Sequence, residues 1–332
     1  MDSLQVDRDW RPSATLDVLR LRATLLGRMR AYFARNHVME VDTPALSAAA
    51  TTDPAIHSLV ATWHGPGSDG PRRCYLHTSP EFPMKRLLAA GSGDVYQLCK
   101  VFRDDERGKL HSPEFTLLEW YRTGFDHLAL MAEVEQLLCE TLVDIAPVRD
   151  VRHWTYRELF QEFADIDPFT VSGEDIAAGL QRRHIGLPVG MDSAPLDAWH
   201  DLVMTHVIEP HMGQGLVFVR DFPASQAALA RLRSGDPPVA ARFEAWLGGV
   251  EIANGYHELA DADEQRQRFM DDNTRRRHAG LEPLPADERL LAGLRAGLPD
   301  CAGVALGIDR LLMVAAGAQC LDEVMAFPIE RA

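Results

Sequence analysis

Leu16, Leu19, Ala23, Leu26 and Phe33 recur at near-helical spacing, and the pattern stops at Asn36, which predicts a helix capped there. Alternation over residues 38–43 predicts a strand. A loop over 65–71 precedes a short predicted strand at 75–78 and a helix at 80–90, opened by proline and closed by Gly91. Residues 94–103 and 114–122 read as a hairpin whose turn holds Gly108, and the second strand alternates Phe115, Leu117, Glu119 and Tyr121 on one face. An amphipathic helix is expected over 126–143, a strand over 216–220, and a hairpin over 241–247 and 250–257 around Gly248-Gly249, a pair that supplies positive φ angles. Further helices are expected at 261–279 and 285–298. Between them, 151–215 mixes prolines, glycines and helical patterns without a motif. Hairpins with late helices predict an α+β fold, an antiparallel sheet with helices packed on it.

At 332 residues and 46% hydrophobic, the chain can bury a large core as one big domain or two small ones. Since no repeat, low-complexity tract or linker interrupts it, we expect a single domain over 1–332, with 151–215 as an insertion. The net charge of −15 disfavours a broad phosphate-tracking surface and weighs against tRNA as a partner. Three lysines, Lys85, Lys100 and Lys109, stand against arginine nearly everywhere else. The five cysteines form no CxxC pair, so the core should need no disulfide or metal staple and a reducing cytoplasm is the expected home. MDSLQVDRDW lacks a basic start and apolar core, and no apolar run approaches spanning length, so no membrane association is expected. The phosphate loop GxxxxGK[ST], the metal helix HExxH and the nucleophile turn GxSxG are all absent.

The stretch 101–121, VFRDDERGKLHSPEFTLLEWY, places an arginine and acids before the turn, so the hairpin can present a cation to a phosphate and carboxylates to an amine. This stretch resembles motif 2 of the class II aminoacyl-tRNA synthetases, in the lysine branch. LHTSPEFPMKRLL (76–88) resembles the family's segment over the substrate amino group, and FEAWLGGVEIANGYHELAD (243–261) its strand pair under amino acid and metal. GVALGIDRLL (303–312) resembles motif 3, and 27–46, ending MEVDTPAL, resembles the dimer-forming motif 1 closed by Pro44. The resemblance covers nearly the whole chain. Only about two dozen residues precede motif 1, so no anticodon-binding OB-fold domain is expected. In this respect the chain is similar to the free-standing lysyl-tRNA synthetase paralogues that attach beta-lysine to elongation factor P.

The resemblance implies ATP and Mg²⁺ as cofactors and an aminoacyl adenylate as intermediate. Arg103 would grip the α-phosphate, where adenylation concentrates charge, and Arg310 the γ-phosphate. The family's FRNE reads FRDDE here, so Asp104, Asp105 and Glu106 are nucleotide-binding candidates and either Asp105 or Glu106 would face the adenine. His111, Ser112, Ile252 and Gly307 would also adjoin the nucleotide, with Phe115 as a flat stacking surface for a purine. Glu244 and Glu251, across the Gly248-Gly249 turn, would offer magnesium two hard oxygens. Ser79, Pro80, Glu81, Glu119, Tyr121, Asn254 and Glu258 resemble the lysine pocket. Glu81 would hold the amino group at the reacting end, and Glu258 or Glu119 the side-chain ammonium. Ala305 replaces a glycine of the family's GIGIDR; its methyl would narrow the pocket against an alpha-amino acid and leave room for the shifted amine of beta-lysine.

The resemblance therefore implies activation of (R)-beta-lysine by ATP and transfer to a lysine of elongation factor P, by a cytoplasmic homodimer. The alternatives are a truncated lysyl-tRNA synthetase that still charges tRNA and a non-catalytic regulatory paralogue.

Overall fold

The computed structural model describes residues 10–65, 70–191 and 194–332. Most of the loop expected at 65–71 and the first nine residues lie outside them. Among the described residues the strands are β1 (Met39–Glu40), β2 (Leu46–Ser47), β3 (Val60–Trp63), β4 (Arg72–Leu76), β5 (Val95–Phe102), β6 (Glu114–Thr123), β7 (Val151–Thr155), β8 (Leu216–Pro223), β9 (Leu232–Arg233), β10 (Val239–Leu247), β11 (Val250–His257) and β12 (Cys301–Gly307). The main sheet runs β1-β5-β6-β12-β11-β10-β8-β7, with β9 paired to β10, while β2, β4 and β3 form a small second sheet. Pairing in the main sheet is antiparallel except for β1 with β5 and β7 with β8. The helices are α1 (Leu16–Arg35), α2 (Glu81–Ala89), α3 (His127–Leu142), α4 (Tyr156–Ala164), α5 (Gly173–Arg182), α6 (Leu196–Val203), α7 (Ala262–His278), α8 (Glu288–Gly297) and α9 (Ile308–Ala316).

One face of the sheet is sealed by α1, α3 and α9. Thr15 starts α1 by accepting from the Val18 backbone N–H, and the helix buries Leu25, Met29, Tyr32 and Phe33. Phe33 stacks on Tyr96 of β5 with centroids 4.4 Å apart and meets the edge of Trp120 of β6 at 5.4 Å. Asp126 caps α3, whose buried Glu133 accepts a 3.0 Å hydrogen bond from Trp120 Nε1. Because strand side chains alternate, burying Leu118 and Trp120 in this core turns Phe115, Leu117, Glu119 and Tyr121 toward the other face, as the pattern predicts.

Two boundaries shift for identifiable reasons. The strand expected over 38–43 shrinks to Met39–Glu40, because the chain leaves α1 through His37 in the left-handed region, φ 56°, and Val38 N–H still bonds Phe33 O. The helix expected from 285 begins at Glu288, because Asp287 accepts from the backbone N–H groups of Arg289 and Leu290 and so is the cap.

The 151–215 stretch is tied into the main sheet. Its β7 pairs with β8, and a capping box of Thr155 and Glu158 opens α4. Tyr156, Leu159, Phe160, Trp199 and Val203 then build a second core against Val217, Val219, Phe222 and Trp246. A third cluster joins α2, α7 and α8 beside Tyr121 and Cys301. All five cysteines are free, and no helix among the described residues is long and apolar enough to cross a membrane.

Candidate active site

Neighbouring residues on four strands form a straight row across the sheet: Glu119 of β6, Ala305 of β12, Asn254 of β11 and Glu244 of β10. Two residues along each strand, Tyr121, Gly303, Tyr256 and Arg242 form a second row. Period-2 alternation puts both rows on one face, where they line a cavity of about 1050 Å³. At Gly303 a Cβ would lie 2.3 Å from Tyr121 Cε1 and 2.6 Å from Glu258 Oε1, so only hydrogen fits between these two side chains. The β10–β11 register slips between Ala245 and Trp246, and this irregularity lets both Glu251 and Ile252 border the cavity.

Carboxylates crowd one end of the cavity. Glu119 accepts from Ser79 Oγ at 2.6 Å and from the Tyr121 hydroxyl at 2.8 Å. Burial pushes Glu119 up to about 7, the Glu81 charge adds to this, and the two hydroxyl donors oppose it. Lys85, 2% exposed, reaches both Glu81 Oε1 and Glu258 Oε2 at 2.6 Å. Burial opposes charge on Lys85, but Glu258 and Glu81 more than reverse it and hold the amine above its usual range. Burial alone would favour a protonated Glu258. A 2.6 Å contact with an ammonium shared with Glu81 favours the ionised pair instead, and that is the form the geometry fits.

At the end of the second row the partly buried Arg242 donates to Glu244 Oε1 at 2.5 Å, to Asn254 Oδ1 at 3.2 Å and to the Gln226 carbonyl at 2.9 Å, with its guanidinium 4.3 Å above the Phe222 ring. Burial raises Glu244 to about 7 against the pull of Arg242, and the charge of Glu251 raises it further. Among the described residues no three His, Cys, Asp or Glu side chains are grouped to hold a metal. Two interacting carboxylates still fit magnesium, which takes its remaining ligands from phosphates and water.

At the opposite end Arg103 lies over the Phe115 ring, 5.0 Å from its centroid, with Nη1 3.5 Å from Glu106 Oε1. Arg310 donates to the carbonyls of Glu251 (2.9 Å) and Leu110 (3.1 Å), and lies 3.3 Å from the Glu251 carboxylate. Its Nη2 is 3.0 Å from His111 Nε2, which must therefore accept. Partial burial and the Arg310 charge lower His111, in keeping with that neutral tautomer. Ser112 and Gly307 also line the cavity.

Most of the residues expected from sequence thus converge, but three do not border the cavity. Asp104 is held by a backbone bond to His57 O, and Asp105, at φ 62°, turns its exposed carboxylate to His57 Nδ1 at 3.2 Å. Of that acidic run only Glu106 faces the cavity. Pro80 is buried as the residue before α2, where it starts the helix rather than lining the pocket. Sequence reasoning missed Lys85, Arg242, Gly303 and Tyr256, together with a wall from the 151–215 stretch that includes Tyr156 and Met204. Two signals were available: Lys85 follows Glu81 by one helical turn, and Arg242 precedes Glu244 by one strand repeat.

Residues 7–331 match the family described as tRNA synthetases class II (D, K and N), and the chain belongs to that family. Within it, the chain is 47% identical over 326 residues, 97% of its length and 98% of the relative's, to the elongation factor P–(R)-beta-lysine ligase of Vibrio atlanticus (strain LGP32). The protein of that name from Vibrio cholerae serotype O1 is 47% identical over 328 residues, covering 98% of this chain and 99% of the relative. The one from Pectobacterium carotovorum subsp. carotovorum is 44% identical over 324 residues, covering 97% and 98%.

Proposed function

We propose that the protein is an ATP-dependent ligase that activates (R)-beta-lysine as an adenylate and transfers it to a lysine side chain of elongation factor P. The observation that carries this reading is the 44–47% identity, over nearly the whole chain, to proteins named for that reaction. The cavity agrees with it, since it joins an acid end suited to ammonium groups to an arginine end suited to phosphates.

In the first step a carboxylate oxygen of the amino acid attacks the α-phosphorus and pyrophosphate leaves. Arg103 would stabilise charge developing at the α-phosphate and Arg310 would bind the γ-phosphate, with Glu106, His111, Ser112 and Phe115 around the nucleotide. Glu244 and Glu251 would hold Mg²⁺, which supplies neutralising charge to the triphosphate when bound. Glu81 would hold the amino group at the reacting end and Glu258 or Glu119 the side-chain ammonium, and Asn254 and Ala305 would border the backbone of the substrate. In the second step the acceptor amine attacks the acyl carbon, the amide forms, AMP leaves and the amine gives up a proton.

This reading also takes the chain as one catalytic domain in which 151–215 supplies a cavity wall, as a cytoplasmic homodimer paired through the region of α1 and Pro44, and as an enzyme that does not use tRNA. Light scattering at micromolar concentration should give the mass of a dimer. For the reaction, the enzyme is incubated with ATP, (R)-beta-lysine and either purified elongation factor P or total tRNA. A lysyl mass increment on the protein is expected; labelled RNA with unmodified protein would overturn the assignment of the acceptor.

A further inference from the structure

Arg242 sits where its chemistry decides how a neighbour can point. On the cavity face Asn254 lies directly opposite Glu244 and diagonal to Arg242, and all three border the cavity. Asn254 Oδ1 accepts from Arg242 Nε at 3.2 Å, while its Nδ2 has, among the described residues, only a 3.5 Å contact with Glu244 Oε1. A guanidinium carries donors and no acceptor, so only the oxygen of the Asn254 amide can face it, whatever proton Glu244 holds. Turning the amide over would set N–H against N–H. The Nδ2 donor is therefore directed away from Arg242, and its one protein contact is too long to satisfy both of its hydrogens.

The arginine can impose this because it is itself fixed. Nη2 donates to Glu244 Oε1 at 2.5 Å and Nη1 to the Gln226 carbonyl at 2.9 Å, with the Phe222 ring 4.3 Å beneath the guanidinium. Three acceptors and a ring face suit a rigid planar fork; a lysine ammonium could keep the ion pair with Glu244 but not the rest. We propose that Arg242 is a positioning residue for the carboxyl end of the substrate: by holding Asn254 Oδ1 it turns the Nδ2 donor toward a carboxylate oxygen of the amino acid. It acts through Asn254 rather than on the reacting atoms. The inference deepens the reading of the cavity as a site for (R)-beta-lysine and rests on it. Phosphate binding falls to Arg103 and Arg310 at the other end, so a variant that keeps the ion pair with Glu244 should disturb the amino acid and spare ATP.

The test is amino-acid-dependent exchange of labelled pyrophosphate into ATP by the full-length enzyme and the variants Arg242→Lys, Asn254→Ala and Arg242→Lys/Asn254→Ala. Arg242→Lys should raise KM for (R)-beta-lysine by about tenfold and leave KM for ATP within about twofold. Asn254→Ala should show the same split. In the Asn254→Ala background, Arg242→Lys should add less than about a twofold loss, because the amide it orients is already gone. If Arg242→Lys fails to fold, Phe222→Leu removes only the ring beneath the guanidinium and should raise KM for the amino acid about threefold, with KM for ATP unchanged. Equal losses toward ATP and amino acid, or losses that multiply in the double variant, would overturn the inference while the function stands. So would an unchanged KM for the amino acid in Arg242→Lys or, where that variant does not fold, in Phe222→Leu. A wild-type enzyme that exchanges with neither (R)-beta-lysine nor lysine would overturn the reading of the cavity and this inference with it.

Discussion

At the amine end of the cavity Glu119 and Glu258 are buried carboxylates, whereas the phosphate end is assembled from arginines that stay partly exposed. Glu258 and Lys85 side chains are 1% and 2% exposed at a contact of 2.6 Å; Arg103 and Arg310 are 27% and 23% exposed with acid contacts of 3.5 and 3.3 Å. The acid end is preorganised before substrate arrives, so a misfit amine meets groups that cannot adapt. The arginine end can exchange its long carboxylate contacts for phosphate oxygens, because screened pairs of that kind contribute little by themselves.

This contrast is broken most severely at Glu119. Glu119→Gln should leave a desolvated ammonium without its charge partner, costing about 4 kcal/mol in kcat/KM for (R)-beta-lysine, roughly a thousandfold. Arg103→Ala attacks the other end and should lower the rate of pyrophosphate exchange on the order of a hundredfold, with KM for the amino acid little changed. Ala305→Gly is subtler. Ala305 stands between Glu119 and Asn254 in the row, and removing its methyl should improve lysine relative to (R)-beta-lysine by about tenfold in kcat/KM.

The smallest effect is that of pH. Because burial raises Glu119 to about 7, its carboxyl is neutral below that value, and kcat/KM for the amino acid should fall as pH drops below about 7. Stability runs the other way. A raised carboxyl favours the fold while protonated, fully so below its unfolded pKa, and that contribution is lost as pH rises through about 7. The Tm of the free protein should therefore decline between about pH 5 and 8, and the amino acid should raise Tm more at the upper end.

Much of this was legible in the chain because it was written in local periods. The β5–β6 and β10–β11 hairpins follow from alternation and from Gly248-Gly249, and the acids of the pocket from the family resemblance of short contiguous segments. What stayed hidden depends on partners far apart in sequence. The Lys85–Glu258 pair spans two elements, the fit at Gly303 depends on Tyr121 and Glu258, and no periodicity in 151–215 announces that Tyr156 will line the cavity. Asp104 and Asp105 illustrate the converse: the resemblance implies nucleotide contacts for the acidic run, but with a left-handed φ at Asp105 these two lie outside the cavity and only Glu106 lines it.

The strand at the centre of the row has one more consequence. Of the main-sheet strands, β12 is the last in the chain, yet it lies between β6 and β11, each bonded to it along its length. A ribosome must therefore extend the chain past residue 307 before Glu119 and Asn254 can be spaced by Ala305. Contacts of such long sequence separation form slowly, because the closure entropy is spent before they reward it. Substrate binding should thus report completed folding: it should recover last in a refolding time course, after far-UV circular dichroism has returned.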